Sequence, residues 1–180
     1  MERLWNGWRF AVEDGVGSDG MPHANVARED GKSLFEAIEQ SGRPDEETYI
    51  VWRGADTFAI LNVFPYTSGH LMVLPKMAVA AVDDLDDHVF AELWFGVRSA
   101  LVAVKTAFGP DGTNVGLNEG VAGGGSIPDH LHVHVVPRWR ADTNFMTSTA
   151  NTRLLPVPLS DTWRLIREAW PETVVPDLSQ

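Results

Sequence analysis

Apolar and polar positions divide this chain into short β-rich runs and one long helical stretch. Tyr49-Ile50-Val51-Trp52-Arg53 and Thr57-Phe58-Ala59-Ile60-Leu61-Asn62-Val63 are joined by Gly54-Ala55-Asp56, which predicts a hairpin. A turn from Pro65 to Gly69 leads to a third strand, His70-Leu71-Met72-Val73-Leu74-Pro75. From Asp86 to Phe108 the pattern becomes helical. Phe90, Leu93, Trp94, Val97, Leu101 and Val104 recur on one face, Asp86 stands where a cap belongs, and Gly109-Pro110 ends the run. A shorter helix is expected over Ser33 to Gln40, with Leu34, Phe35 and Ile38 in phase and Gly42 as the stop. Thr113 to Asn118 reads as a fourth strand, and Asp161 to Trp170 as a late helix ended by Pro171. Strands joined by hairpins with one long helix inserted predict an α+β fold built on a mostly antiparallel sheet.

One run carries more than packing information: His130-Leu131-His132-Val133-His134-Val135-Val136-Pro137-Arg138-Trp139. In a strand, alternate side chains share a face. The three imidazoles are therefore expected in a row, about 7 Å apart, with Leu131, Val133 and Val135 buried on the other side. Aliphatic residues would pack better than imidazoles, so the row marks a site. Two chemistries fit it. Neutral imidazoles bind zinc, copper or iron. An imidazole nitrogen can also attack phosphorus and form a covalent phosphoramidate.

The neighbours favour phosphate. Upstream lies Asn118-Glu119-Gly120-Val121-Ala122-Gly123-Gly124-Gly125-Ser126, whose glycines permit close backbone approach and whose N–H groups are phosphate donors. Downstream, Arg138 offers a planar cation and Trp139 a surface for packing or base stacking. Crowded imidazoles are expected to suppress one another's protonation and keep the attacking nitrogen bare. His23 and His88 have no motif around them, and Asp83-Asp84-Asp86-Asp87 reads as a charged helix entry rather than a cation site.

Composition narrows the class further. The 180 residues suit a single buried core. There are no cysteines, so thiolate metal sites, disulfides and cysteine nucleophiles are excluded. With 14 basic against 25 acidic side chains the net charge is −11, which argues against a general nucleic-acid binder. No apolar run approaches the roughly 20 residues that span a bilayer, and the first residues lack the apolar core of a signal peptide. A cytoplasmic protein without membrane attachment is expected. The seven tryptophans are expected mainly in the core or at subunit contacts.

Residues 130–136 resemble the signature of the histidine triad (HIT) family, in which three histidines alternate with apolar residues. The resemblance extends through Phe58 to Asn62, Gly69 to Pro75 and Asn114 to Asn118, and covers roughly residues 48–139. The flanking versions, together with Asn144-Phe145-Met146 and Leu154-Leu155-Pro156, more specifically resemble bacterial HIT proteins of the diadenosine tetraphosphate phosphorylase kind. That resemblance implies a HIT-like fold with a five-stranded, mostly antiparallel sheet and the long helix packed on it. The expected layout is an N-terminal arm and short helix (1–47), a HIT core (48–140) and a C-terminal extension packed on the same domain (141–180).

The resemblance also implies roles. His132 is the nucleophile that takes up a nucleoside monophosphate, and His134 contacts the phosphate and assists the leaving group. His130 and His70 stand behind and orient the nucleophile. Asn62 matches the ribose position, and Asn118, Gly124, Gly125 and Ser126 match phosphate donors. Ser126 lies four residues before His130, one more than in many HIT hydrolases, unless Pro128-Asp129 bulges. The implied reaction is cleavage of a dinucleoside polyphosphate, by phosphorolysis or hydrolysis. It needs no resident cofactor; inorganic phosphate is a co-substrate in the first case, and a divalent cation can accompany the nucleotide. A homodimer or higher homo-oligomer is implied as well. The alternatives are a HIT hydrolase of nucleoside phosphoramidates or adenylated adducts, a metal protein using the histidine row, and a noncatalytic nucleotide-binding module.

Overall fold

The computed structural model describes residues 31–124, 127–142 and 157–172. The motif segments Asn144-Phe145-Met146 and Leu154-Leu155-Pro156, the arm over 1–30, and Gly125 and Ser126 lie outside the described residues.

Five strands form one antiparallel sheet: β1 (Ile50–Arg53), β2 (Thr57–Leu61), β3 (Leu71–Pro75), β4 (Gly112–Leu117) and β5 (Val133–Arg138). Their order is β1-β2-β3-β5-β4, so the histidine strand is inserted between β3 and the edge strand β4. The helices are α1 (Leu34–Glu39), α2 (Asp45–Thr48), α3 (Asp87–Phe108) and α4 (Leu159–Ala169). The predicted hairpin, third strand and long helix are therefore present. The small helix α2 and a 3-10 turn over Val82–Asp84 were not foreseen.

The sheet has two differently covered faces. On one, Ala59, Leu61, Leu71, Val73, Leu131, Val133 and Val135 pack against α3. On the other, Phe58, Ile60, Met72 and Leu74 pack against Phe35 and Ile38 of α1. Cover on both faces explains why β2 and β3 are buried along their whole length rather than alternating. The rest of that face, over β5 and β4, carries His134, whereas His130 and His132 lie against Phe35 of α1.

Helix α3 buries a different stripe from the one its aromatic residues suggested. Leu93, Gly96, Val97, Ala100, Ala103 and Val104 face the sheet, whereas Phe90 and Trp94 are 42% and 40% exposed. Small residues win this face because the helix lies close on the strands. A Cβ on Gly96 would stand 3.0 Å from Val73 and 3.1 Å from Trp52. Each fully buried Leu or Val on this stripe contributes about 1.5–3 kcal/mol. Asp86 occupies the N-cap position of α3, but its side chain makes no capping bond. Helix α4 packs on α3 and on β1, where Trp163 Nε1–H donates to the Ile50 carbonyl at 2.8 Å and Trp170 stacks on Trp52.

Candidate active site

Register sets the site. His134 pairs with Met72 on β3 and with Gly116 on β4, so it projects from the face not covered by α3. His70 enters from the tip of the β2–β3 connection, immediately after Gly69. That glycine has φ +84°, and a Cβ there would lie 3.0 Å from the Phe108 ring and 3.1 Å from Pro137. Glycine is therefore required both for the turn and for the close approach. The ring centroids of His134 and His70 are 5.1 Å apart, and those of His132 and His134 are 5.0 Å apart.

The regular row of three is not what the chain builds. β5 begins at Val133, so His130 and His132 precede the strand. Pro128 and Asp129 form a turn closed by His130 N–H and the Ile127 carbonyl at 3.5 Å. His130 is fully buried beneath α1, against Phe35. Leu131, Val133 and Val135 do fill the opposite face as expected.

Hydrogen-bond partners dictate the tautomers of the neutral rings, because a carbonyl oxygen only accepts and a backbone N–H only donates. His132 Nδ1 lies 2.8 Å from the His130 carbonyl and must carry the proton. Its Nε2 is then a lone pair, with no partner among the described residues. The second pair has the opposite polarity. His70 Nδ1 accepts the Tyr66 N–H at 3.1 Å, so His70 Nε2 carries the proton and donates to His134 Nδ1 at 3.0 Å. His134 Nε2 is consequently the protonated nitrogen of its ring. Two neighbouring imidazoles thus carry opposite tautomers: a bare Nε2 on His132 and a protonated Nε2 on His134.

This arrangement redistributes the supporting roles. His130 orients His132 through its backbone carbonyl rather than its ring. His70 bonds to His134 and not to His132. Asn62 ends β2 in a turn in which its Oδ1 accepts the Phe64 N–H at 2.9 Å. Its Nδ2 stands 3.5 Å from His70 Nε2, which already carries a proton and is no acceptor for it.

Desolvation is the main cause that lowers the pKa of His132, partly opposed by the bond to the His130 carbonyl. Burial likewise holds His130 below its ordinary 6.5, against the opposing pull of the Pro75 carbonyl and Glu36. Mutual repulsion of imidazoles, the cause expected from the sequence, is a minor contribution at His130 and none at His132. Both rings are therefore neutral at neutral pH. Above the ordinary value of 6.5, neither the folded nor the unfolded chain protonates them. Below it, the unfolded chain takes up protons that the folded chain resists, so acid destabilises the fold until the lower folded values are passed. Thermal unfolding from about pH 8 to about pH 5 is expected to show a falling Tm, with a smaller slope in His132→Gln. An equal slope in both proteins would remove His132 from the account.

A cavity of about 500 Å³ opens on the β4 side of His134. Its wall includes Tyr66, Asn114, Gly116, Asn118, Gly124 and Arg138. Gly116, directly opposite His134, leaves the floor open, since a Cβ built there meets nothing within 4 Å. Asn118 and Gly124 thus stand with His134. Arg138 stands there too, but its charge is already engaged. It makes a two-pronged bond to Asp142 at 2.6 and 2.9 Å and donates to Asn114 Oδ1 at 2.8 Å. The bond to Asp142 raises the guanidinium pKa. Trp139 is half-buried and does not line the cavity. Sequence reasoning missed Asn114, Asp142 and the Tyr66 N–H. Only the register of β4 against β5 brings Asn114 to Arg138.

Residues 43–141, more than half of the chain, match the HIT domain model. The chain belongs to the HIT family. Among HIT proteins, an AP-4-A phosphorylase of Mycobacterium tuberculosis is 41% identical over 172 residues, 94% of this chain and 85% of that protein. An asymmetrical bis(5'-nucleosyl)-tetraphosphatase of Schizosaccharomyces pombe is 32% identical over 93 residues, 52% of this chain and 50% of that one. The crystal structure of a zinc-bound histidine triad family protein from Mycobacterium smegmatis has a TM-score of 0.60 at 29% identity. It covers 76% of this chain and 91% of that chain. Among the described residues of this HIT chain, no group of three or more His, Asp or Glu is arranged to hold a metal ion. No helix among them is long and apolar enough to cross a membrane.

Proposed function

We propose that this HIT protein cleaves dinucleoside polyphosphates, diadenosine tetraphosphate first among them, by transferring a nucleotidyl group through His132. The observation that carries the reading is the pair of opposed tautomers on neighbouring rings 5.0 Å apart, a bare Nε2 on His132 and a protonated Nε2 on His134. In the first step, His132 Nε2 attacks the α-phosphorus, a P–N bond forms, and the P–O bond to the rest of the chain breaks. ATP leaves, with the His134 Nε2 proton directed to the departing oxygen. In the second step an acceptor oxygen attacks the same phosphorus and the P–N bond breaks. Inorganic phosphate as acceptor releases ADP; water releases AMP. The long match to a phosphorylase supports phosphate.

The charge forming on the phosphoryl oxygens calls for donors. Asn118, Gly124, Gly125 and Ser126 are the residues we assign to them, with Asn62 at the ribose. Arg138 acts through the wall of the cavity, held by Asp142 and Asn114. No resident cofactor is needed, and a divalent cation can accompany the nucleotide. A homodimer or higher homo-oligomer and a cytoplasmic location complete the reading. The exposed edge of β4 and the outward Phe90 and Trp94 support the oligomer.

Product analysis tests the assignment. With diadenosine tetraphosphate and phosphate the expected products are ADP and ATP; without phosphate, turnover slows or gives AMP and ATP. Cleavage of a nucleoside phosphoramidate with no turnover of the dinucleotide would overturn the substrate assignment in favour of the phosphoramidate hydrolase.

A further inference from the structure

The side chain that holds His130 comes from 97 residues away. Ser33, only 5% exposed, is the N-cap of α1, and its Oγ lies 2.5 Å from His130 Nδ1. On the other edge of the ring, His130 Nε2 lies 2.8 Å from the Pro75 carbonyl at the end of β3. A carbonyl only accepts, so Nε2 carries the proton and Nδ1 is bare. The Ser33 hydroxyl must then be the donor. The same oxygen accepts the Glu36 N–H at 3.2 Å, which uses its donor and one acceptor position in opposite directions.

The anchor under Ser33 is equally defined. Glu36 Oε2 accepts the Ser33 N–H at 2.9 Å, completing a capping box, and Glu36 Oε1 accepts the Ala78 N–H at 3.0 Å. The N-terminus of α1 is thereby tied to the chain just beyond β3, and His130 bridges the two. With the ring clamped at both edges, the His130 peptide is held where its carbonyl receives the His132 Nδ1–H.

We propose that Ser33 is a positioning residue for the nucleophile, its hydroxyl locking the His130 ring and hence the carbonyl that orients His132. This rests on the reading of His132 as the attacking group. His130 is wholly buried, so water has no ready access to replace a missing hydroxyl. Without the donor, Nδ1 loses its partner, the ring can change tautomer, and the clamp on the carbonyl loosens. A capping residue alone would not need to donate; an acceptor suffices for that role.

That difference supplies the test. Ser33→Ala is expected to lower kcat about 10- to 100-fold, the scale of a misaligned reacting atom, with KM changed less than about twofold. Ser33→Thr, which keeps the hydroxyl, restores most of the rate. Ser33→Asp keeps a strong cap but places an acceptor-only carboxylate against a bare nitrogen. At about pH 8 its kcat is expected to fall like that of Ser33→Ala, and to recover towards lower pH as His130 takes up a proton. The other titratable groups around His130 are Glu36 on α1, Asp129 in the turn and His132, and these variants leave them in place. Nitrogen-15 spectra of the ring nitrogens give a readout without substrate: bare Nδ1 and protonated Nε2 on His130 in the natural protein, and loss of that pattern in Ser33→Ala. Ser33→Asp with the natural kcat and pH profile, or a protonated His130 Nδ1 in the natural protein, would overturn the inference. Because the spectra need no nucleotide, failure here is distinguishable from a wrong substrate.

Discussion

His132→Ala is expected to lower turnover of diadenosine tetraphosphate by about 10,000-fold or more, since the group that forms the covalent bond is removed. The adenylate bound to protein, acid-labile and stable in alkali, should disappear with it. Geometry makes this loss larger than at the other histidines. Of the four clustered histidines, His130, His70 and His134 have their bare nitrogens engaged by Ser33, the Tyr66 N–H and His70, whereas the His132 Nε2 has no partner among the described residues and burial keeps it unprotonated. His132→Gln retains a comparable volume against Phe35 and separates a folding defect from a chemical one. The measurement is a single-turnover experiment with labelled substrate, quenched in alkali. A trapped adenylate in either variant would place the nucleophile elsewhere.

His134→Ala is expected to lower kcat/KM by about 100- to 1,000-fold on a substrate whose leaving group needs a proton. The loss should be much smaller on a p-nitrophenyl ester of AMP, whose leaving group departs as a stable anion. The hydrogen-bond chain from the Tyr66 N–H through His70 to His134 leaves the proton on His134 Nε2. Equal losses on both substrates would mean that His134 positions the phosphate and does not supply the proton. If His134 does supply the proton, His70→Ala should reproduce the selective loss more weakly, because His70 acts through His134.

The candidate histidines were legible along the chain because their spacing is local, although the regular row expected of them is not formed. The alternation in residues 130–136 singled out the histidines, and the glycines before them pointed to phosphate. Leu131, Val133 and Val135 were correctly given to the core, since strand alternation is set by backbone geometry alone. The long helix was equally plain, but not its buried stripe. Phe90 and Trp94 carry the larger apolar surface, yet close approach of helix to sheet selects Gly96, Ala100 and Ala103. Arg138 read as an available cation because Asn114 shows no relation to it before β4 pairs with β5, and Asp142, four residues on, is brought back to it only by the turn after the strand.

By itself the sequence determined the family, the fold class and the residue expected to attack. Hydrophobic periodicity and a compact motif are short-range properties, and they survive without coordinates. Only the tertiary structure decided which nitrogen carries which proton. Tautomers follow from partners, and the partners come from distant segments: Ser33 on α1, the Pro75 carbonyl on β3, and Tyr66 and His70 in the β2–β3 connection. The three equivalent-looking histidines become a buried ring held at both edges, a ring with a bare Nε2 and a ring with a protonated Nε2 once the fold closes around them.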